Sequence, residues 1–301
     1  MLVLAALAVP RFSRRPSAPP VRIPSPLQAA VLWLFAMVLV FVANVAVSAI
    51  AAAVAIGTGL PVERAFELLS DSKSSPLVTS PTWIAISVLA SELVLAALVW
   101  RFLRRHRVFL HEVAPLGVPS LRDMAGALLC VFGLAPLSGL VAELVRRALP
   151  RELNAETMVV GLTKGVTAGE LVGVVLAAAL VPAIVEELLF RGVLTRAWVG
   201  RSNLLALMLP SAMFGIFHVE PTQAAGTFVL GVGFGITRLY TDSVLTSILC
   251  HLAYGAYVLI DVYAGGEVGS TELHLGRVGF GLAVSAFGFL LMVLHPGERR
   301  R

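Results

Sequence analysis

Between Leu27 and Leu294 the chain is a succession of apolar runs, most of them about 18–30 residues long, enough to cross a hydrocarbon core of about 30 Å as helices. No other feature constrains the fold as strongly. Composition agrees: with 58% of 301 residues hydrophobic and only 14% charged, an ordinary soluble domain is ruled out. The expected fold class is all-α, a polytopic transmembrane helical bundle of about eight spans. The runs fall at about Leu27–Leu60, Thr82–Leu103, Asp123–Val145, Glu170–Gly200, Asn203–Val219, Ala224–Tyr240, Val244–Tyr263 and Val278–Leu294. The first exceeds what a span requires, so it tilts or extends beyond the bilayer. Pro81 suits the first turn of the second. Pro61–Pro81, which mixes Glu63, Glu67 and Asp71 with Arg64 and Lys73, reads as an external loop with a short helix.

Charge placement sets the orientation. An even number of spans puts both termini on one side. The tail, the 101–122 loop, residues 191–201, Arg238 and the C-terminus carry 16 of the 23 lysines and arginines on that side. Positive residues stay inside, so both termini are expected to be cytoplasmic and the chain to be a multi-pass protein of the cell's inner (cytoplasmic) membrane. The same placement accounts for the net charge of +5 without a nucleic-acid partner. Residues 1–26 read as a disordered cytoplasmic tail, because the arginines follow the short apolar run where a secretory signal has them in front. Residues 27–301 read as a single membrane domain. Cys130 and Cys250 lie far apart in apolar runs, with no metal or disulfide spacing, and are small packing residues.

Within the fourth run stands Val185-Glu186-Glu187-Leu188-Leu189-Phe190-Arg191-Gly192. One charge at the centre of a bilayer helix costs roughly 2.5–3.5 kcal/mol even on lenient scales, and three so close together point to chemistry. At helical spacing Glu187 and Arg191 form an i,i+4 pair and neutralise each other. Glu186 points about 100° away and faces something else. The other intramembrane ionisable residues are Glu92, His218 and His251. At 1.5 Å per residue from Gly200, Glu186 lies about 21 Å inside the cytoplasmic face, and His218 lies about 24 Å inside on the next, antiparallel helix. His251, at about 12 Å, is level with Arg191 at roughly 14 Å, and needs a kink or tilt to reach Glu186.

A buried carboxylate beside a neutral imidazole suits activation of a water molecule: Glu removes the proton and His positions its partner. The same set, Glu186, His218 and His251, also fits a zinc or other divalent ion with an open coordination position, or a purely structural polar network. Glu92 either lines the same cavity or hydrogen-bonds a neighbouring helix. Gly231-x-Gly233-x-Gly235 reads as close helix packing, Phe190, Phe214 and Phe217 as packing that keeps the site dry, and Glu220 as a structural or solvated rim residue. His106, His111, His274 and His295 lie in loops or at helix ends and read as solvated.

These residues resemble the CPBP family of intramembrane proteases, which includes the type II CAAX prenyl endopeptidases and their bacterial Abi relatives. EExxxR is met by Glu186-Glu187-Leu-Leu-Phe-Arg191, and FxxxH by Phe214-Gly-Ile-Phe-His218. HxxxN is met only at His251, with Gly255 where the asparagine is expected. The likeness covers about residues 165–265. It implies Glu186 as the water-activating base, His218 as its catalytic partner and His251 as an oxyanion-stabilising group or metal ligand, with Glu187, Arg191 and Phe214 in support. The activity implied is that of an intramembrane endopeptidase, with no cofactor required or with a zinc ion. Its substrate is a membrane-associated protein or peptide, cut near the C-terminus. The alternative is a catalytically weak membrane scaffold or a bacteriocin-immunity-type binding protein, to which Gly255 gives the main support.

Overall fold

A computed structural model of the chain describes residues 24–70, 80–149, 157–266 and 275–294. The expected tail, except for Pro24–Pro26, lies outside the described residues, as do Asp71, Lys73, Arg151, His274, His295 and Arg299–Arg301. Among the described residues the regular structure is entirely helical. The long helices are α1 (Pro26–Gly57), α3 (Pro81–His106), α5 (Leu121–Ala148), α7 (Ala168–Leu194), α8 (Asn203–Phe217), α9 (Pro221–Thr241), α10 (Val244–Tyr263) and α11 (Leu275–Val293). Short helices α2 (Val62–Ser70), α4 (Leu110–Val113) and α6 (Thr157–Thr163) lie between them. Eight long helices thus stand where eight apolar runs were expected. Six of them are long and apolar enough to cross a membrane, α8 is shorter, and α9 falls outside that set. α2 occupies the expected loop helix, and Pro81 stands in the first turn of α3.

Apolar surface turns outward as well as inward. Leu34, Phe35, Val38, Phe41, Val42 and Val45 form an exposed face along α1. Soluble proteins do not carry apolar patches of this extent, whereas hydrocarbon is a suitable solvent for one. Helix association in such a solvent relies on close packing and on polar contacts between helices. α5 and α11 show the first. A Cβ placed on Gly133 would meet the Ser285 backbone at 2.5 Å and the Gly281 carbonyl at 2.6 Å, so only glycine lets the two backbones touch. α1 and α3 show the second: Asn44 of α1 donates from Nδ2 to Ser91 Oγ at 3.0 Å and accepts from the Ser87 hydroxyl. Cys130 and Cys250 are both free and fully buried, in keeping with packing.

α7 departs from a regular helix. Two α-helical segments, Ala168–Val175 and Val181–Glu187, alternate with two π-helical ones, Leu176–Leu180 and Leu188–Leu194. Such wide turns are rare and frequently mark functional sites. Glu186 and Glu187 sit at the junction with the second, and Arg191 lies within it. Pro182, near the start of the middle segment, has no N–H to offer the preceding turn.

Candidate active site

The double glutamate is buried to different ends. Glu187, fully buried, accepts a hydrogen bond from Arg191 Nη1 at 2.8 Å, so the i,i+4 pair forms despite the wider turn. Arg191 Nη2 donates to the Gly231 carbonyl of α9 at 2.9 Å. Three aromatic rings surround the guanidinium carbon: Phe214 at 4.4 Å, Phe234 at 5.2 Å and Phe190 at 6.0 Å. Such faces attract a desolvated cation. Arg191 therefore ties α7, α8 and α9 together from the middle of the bundle.

His251 of α10 reaches both carboxylates. Its Nδ1 lies 3.1 Å from Glu187 Oε1 and its Nε2 lies 3.9 Å from Glu186 Oε2. The depth estimate underplaced this histidine for a local reason. The α7 helix gives way to turns after Arg196, four residues before Gly200. Counted from Arg196, Glu186 lies at most about 15 Å from the helix end, close to the depth of His251. Neither a kink nor an unusual tilt is required.

His218 occupies the C-terminal cap of α8. Its Nδ1 donates to the Phe214 carbonyl at 2.9 Å, and its ring stands edge-on to Phe214 at 5.0 Å. Phe214 in turn lies 5.8 Å from the His251 ring, which stacks on Phe234 at 4.9 Å. Both histidines thus stand edge-on to one phenylalanine. Val219, next in sequence, holds φ at +61°, a left-handed conformation that a β-branched residue adopts only under strain. Beyond it, Glu220 accepts hydrogen bonds from the backbone N–H groups of Thr222 and Gln223 and caps α9. It is a structural residue that fixes where α9 starts.

The hydrogen bonds also fix tautomers. A carbonyl only accepts, so His218 carries its proton on Nδ1 and in the neutral form presents a bare Nε2. Glu187 already accepts from Arg191, which identifies it as the acceptor from His251 Nδ1 as well. Neutral His251 therefore also presents a bare Nε2, on the side of Glu186. Either Nε2 can take a proton from water, and His251 can donate to a developing oxyanion only after it has become an imidazolium.

Three further residues stand differently from the expectation. Gly255 lies against α7: a Cβ there would meet the Ala179 Cβ at 3.2 Å, within the first π-helical segment. The glycine is thus a packing contact between α10 and α7. Tyr254, the neighbouring donor, turns its ring toward Phe132 and Tyr257. Gly231, assigned to packing alone from the sequence, and Phe234, which the sequence did not single out, are site residues. The Gly-x-Gly-x-Gly run was the available signal, and packing is still the function of Gly233, against Leu134, and of Gly235, against Leu207. His106 and His111 lie apart, against Phe102 and Phe109.

A zinc-type site needs its donors gathered. Among the described residues no group of three or more His, Cys, Asp or Glu side chains is placed to hold a metal ion. Glu186, His218 and His251 as they stand do not fit that ligand set.

Together these features define a polytopic helical membrane protein with a carboxylate–imidazole site buried among its spans. Residues 168–257 match the family model described as type II CAAX prenyl endopeptidase Rce1-like, which takes in Glu186, Glu187, Arg191, Phe214, His218 and His251. The match covers less than a third of the chain, and over that stretch the sequence is similar to these intramembrane proteases. No curated protein and no solved structure matches the chain.

Proposed function

We propose that the protein is an endopeptidase of the CAAX type that cuts a membrane-associated protein or peptide near its C-terminus, using a water activated by Glu186 and the two histidines. The observation that carries the reading is the asymmetry of the double glutamate. Glu187 is engaged at Oε1 by both Arg191 and His251, its Oε2 buried without a hydrogen-bond partner among the described residues, while Glu186 has the Nε2 of His251 at 3.9 Å and no ion pair with Arg191 among the described residues. Glu186 takes a proton from water as the oxygen attacks the scissile carbonyl. His218, whose Nδ1 donates to the Phe214 carbonyl, is assigned as the partner of Glu186 through its free Nε2, although among the described residues no hydrogen bond or ion pair joins the two. His251, charged by a proton from solvent before the attack and held at Nδ1 by Glu187, donates from Nε2 to the oxyanion, a kind of contact typically worth about 2.7–4 kcal/mol. The proton that Glu186 took from water passes to the leaving amine as the C–N bond breaks, which returns Glu186 to its carboxylate. No step requires a metal. Both termini face the cytoplasm, and the bilayer is that of the cell's inner membrane.

The test uses the full chain in liposomes with a fluorescence-quenched CAAX peptide, prenylated or not. Wild type cleaves it, a metal chelator leaves the rate unchanged, and Glu186→Ala and His218→Ala each lose at least about a hundredfold in kcat/KM. If both variants accumulate normally and cleave like wild type, the protease reading fails and a binding protein stands in its place.

A further inference from the structure

α3 carries an apolar face that ends in arginines. Ile86, Leu89, Leu93 and Trp100 follow one another at spacings of three, four and seven residues, so they share one side of the helix. All four are exposed, Leu93 to 72% and Trp100 to 59%. Arg104, four residues further on, continues the same line, with Arg101 and Arg105 beside it. The face therefore passes from side chains that suit hydrocarbon, through a tryptophan, to a group of cations. A bilayer passes in the same order from acyl chains, through the interface, to headgroups.

The arginines form a receptive surface. Trp100, Arg101, Arg104 and Arg105 line an open cleft of about 300 Å³. The Arg104 guanidinium lies over the Trp100 ring at 4.7 Å, which holds one cation against the interfacial aromatic. Arg101, Arg104 and Arg105 are exposed and make no ion pair among the described residues. Glu112 and Asp242, at the same end of the bundle, are engaged elsewhere: Glu112 accepts from the Phe109 N–H at 2.8 Å and Asp242 from Arg238 at 2.9 Å. At the opposite end Arg146 and Arg147 close on Glu143 and need no outside anion. The segment that follows α3 is pinned to the bundle, because the Val244 N–H donates to the Pro115 carbonyl at 2.8 Å and Arg196 Nε to the Glu112 carbonyl at 3.2 Å. It nevertheless leaves Phe109, Leu116, Val118 and Leu121 exposed. Apolar side chains on a fixed surface next to cations suit the boundary between acyl chains and headgroups.

We propose that Trp100, Arg101, Arg104 and Arg105 form a binding site for the headgroup of an anionic phospholipid, whose acyl chains lie along the exposed face of α3. Guanidinium groups meet phosphate oxygens through paired N–H donors, and a cluster of them at a membrane surface attracts negative lipid. A zwitterionic headgroup offers the same phosphate but brings a quaternary ammonium to three guanidiniums. The Trp100 ring that could receive that ammonium is already covered by Arg104. The site therefore selects phosphatidylglycerol over phosphatidylcholine. It lies on α3, outside residues 168–257, and shares no side chain with the catalytic group.

The experiment measures quenching of Trp100 fluorescence in mixed vesicles of phosphatidylglycerol and phosphatidylcholine, with brominated chains on one lipid or on the other. Trp100→Phe supplies the signal of the remaining tryptophans. The expected result is a relative binding constant that favours phosphatidylglycerol by at least about fivefold, the worth of one arginine at the surface. In the triple variant Arg101→Gln/Arg104→Gln/Arg105→Gln the preference falls to near unity. In a charge-matched control, Arg64→Gln/Arg201→Gln/Arg277→Gln, it stays. Arg104→Gln alone lowers the preference as well, which gives a reading independent of whether the triple variant inserts. Equal quenching by the two lipids in the wild-type protein overturns the proposal. A control that loses the preference as fully as the triple variant also overturns it, since the effect is then one of overall charge. Inorganic phosphate that removes the preference, at an ionic strength where chloride does not, shows a site for free phosphate and overturns the lipid assignment.

Discussion

Arg191 is the side chain whose removal tests the construction of the site most directly. It is 1% exposed, donates to Glu187 at 2.8 Å and to the Gly231 carbonyl at 2.9 Å, and lies 4.4 Å from the Phe214 ring. Arg191→Met deletes the guanidinium paired with Glu187 and leaves a buried carboxylate largely uncompensated, a loss of about 3–5 kcal/mol. Glu187→Met leaves the converse buried cation and costs about the same. In the double variant neither charge remains, and methionine fills a similar volume. What is lost is the second hydrogen bond on the Gly231 carbonyl and the acceptor for His251, about 1–2 kcal/mol together. The two single costs therefore exceed the double cost by several kcal/mol, a coupling that a double-mutant cycle reads directly. The measurement is reversible unfolding of the purified protein in mixed micelles, with peptide cleavage recorded in parallel. The double variant is expected to be folded and inactive, because His251 has lost the carboxylate that orients it. If the double variant is destabilised by the sum of the two single losses, the charges do not compensate each other and the site is not organised by this pair.

Two further outcomes follow from the packing. Gly255→Asn, which restores the family motif, is expected to lower thermal stability in detergent and not to raise turnover, since its Cβ lands 3.2 Å from that of Ala179; Ala179→Gly in the same chain is expected to recover part of the loss. Gly133→Leu pushes a side chain into the Ser285 and Gly281 backbone and is expected to cost at least about 1–3 kcal/mol, read as a lower melting temperature.

The helices were legible because each is a long apolar run, and hydropathy alone separates such runs. The pairing of Glu187 with Arg191 was legible from spacing, since it needs nothing beyond their own helix. Rotation was not legible. In a helix that is apolar all round, no pattern says which face looks inward, so the burial of Glu92 emerges only from packing. The π-helical segments left no trace either, because one wider turn among uniformly apolar residues changes no periodicity that hydropathy records. The carbonyl of Gly231 is invisible for a simpler reason: every residue has one, and the fold decides which of them meets an arginine.

The location of the Glu187–Arg191 pair within one span also bears on how the protein enters the membrane. A span that carries its own counter-ion at i,i+4 partitions from the translocon with that charge already neutralised, before α8, α9 or α10 has been synthesised. The contacts to Gly231 and His251 arrive later and refine a segment already in place. An insertion assay on the isolated α7 segment reads this pairing: removing Glu187 and Arg191 together is expected to favour insertion by more than the two single alanine substitutions combined, the excess being the pair's own attraction.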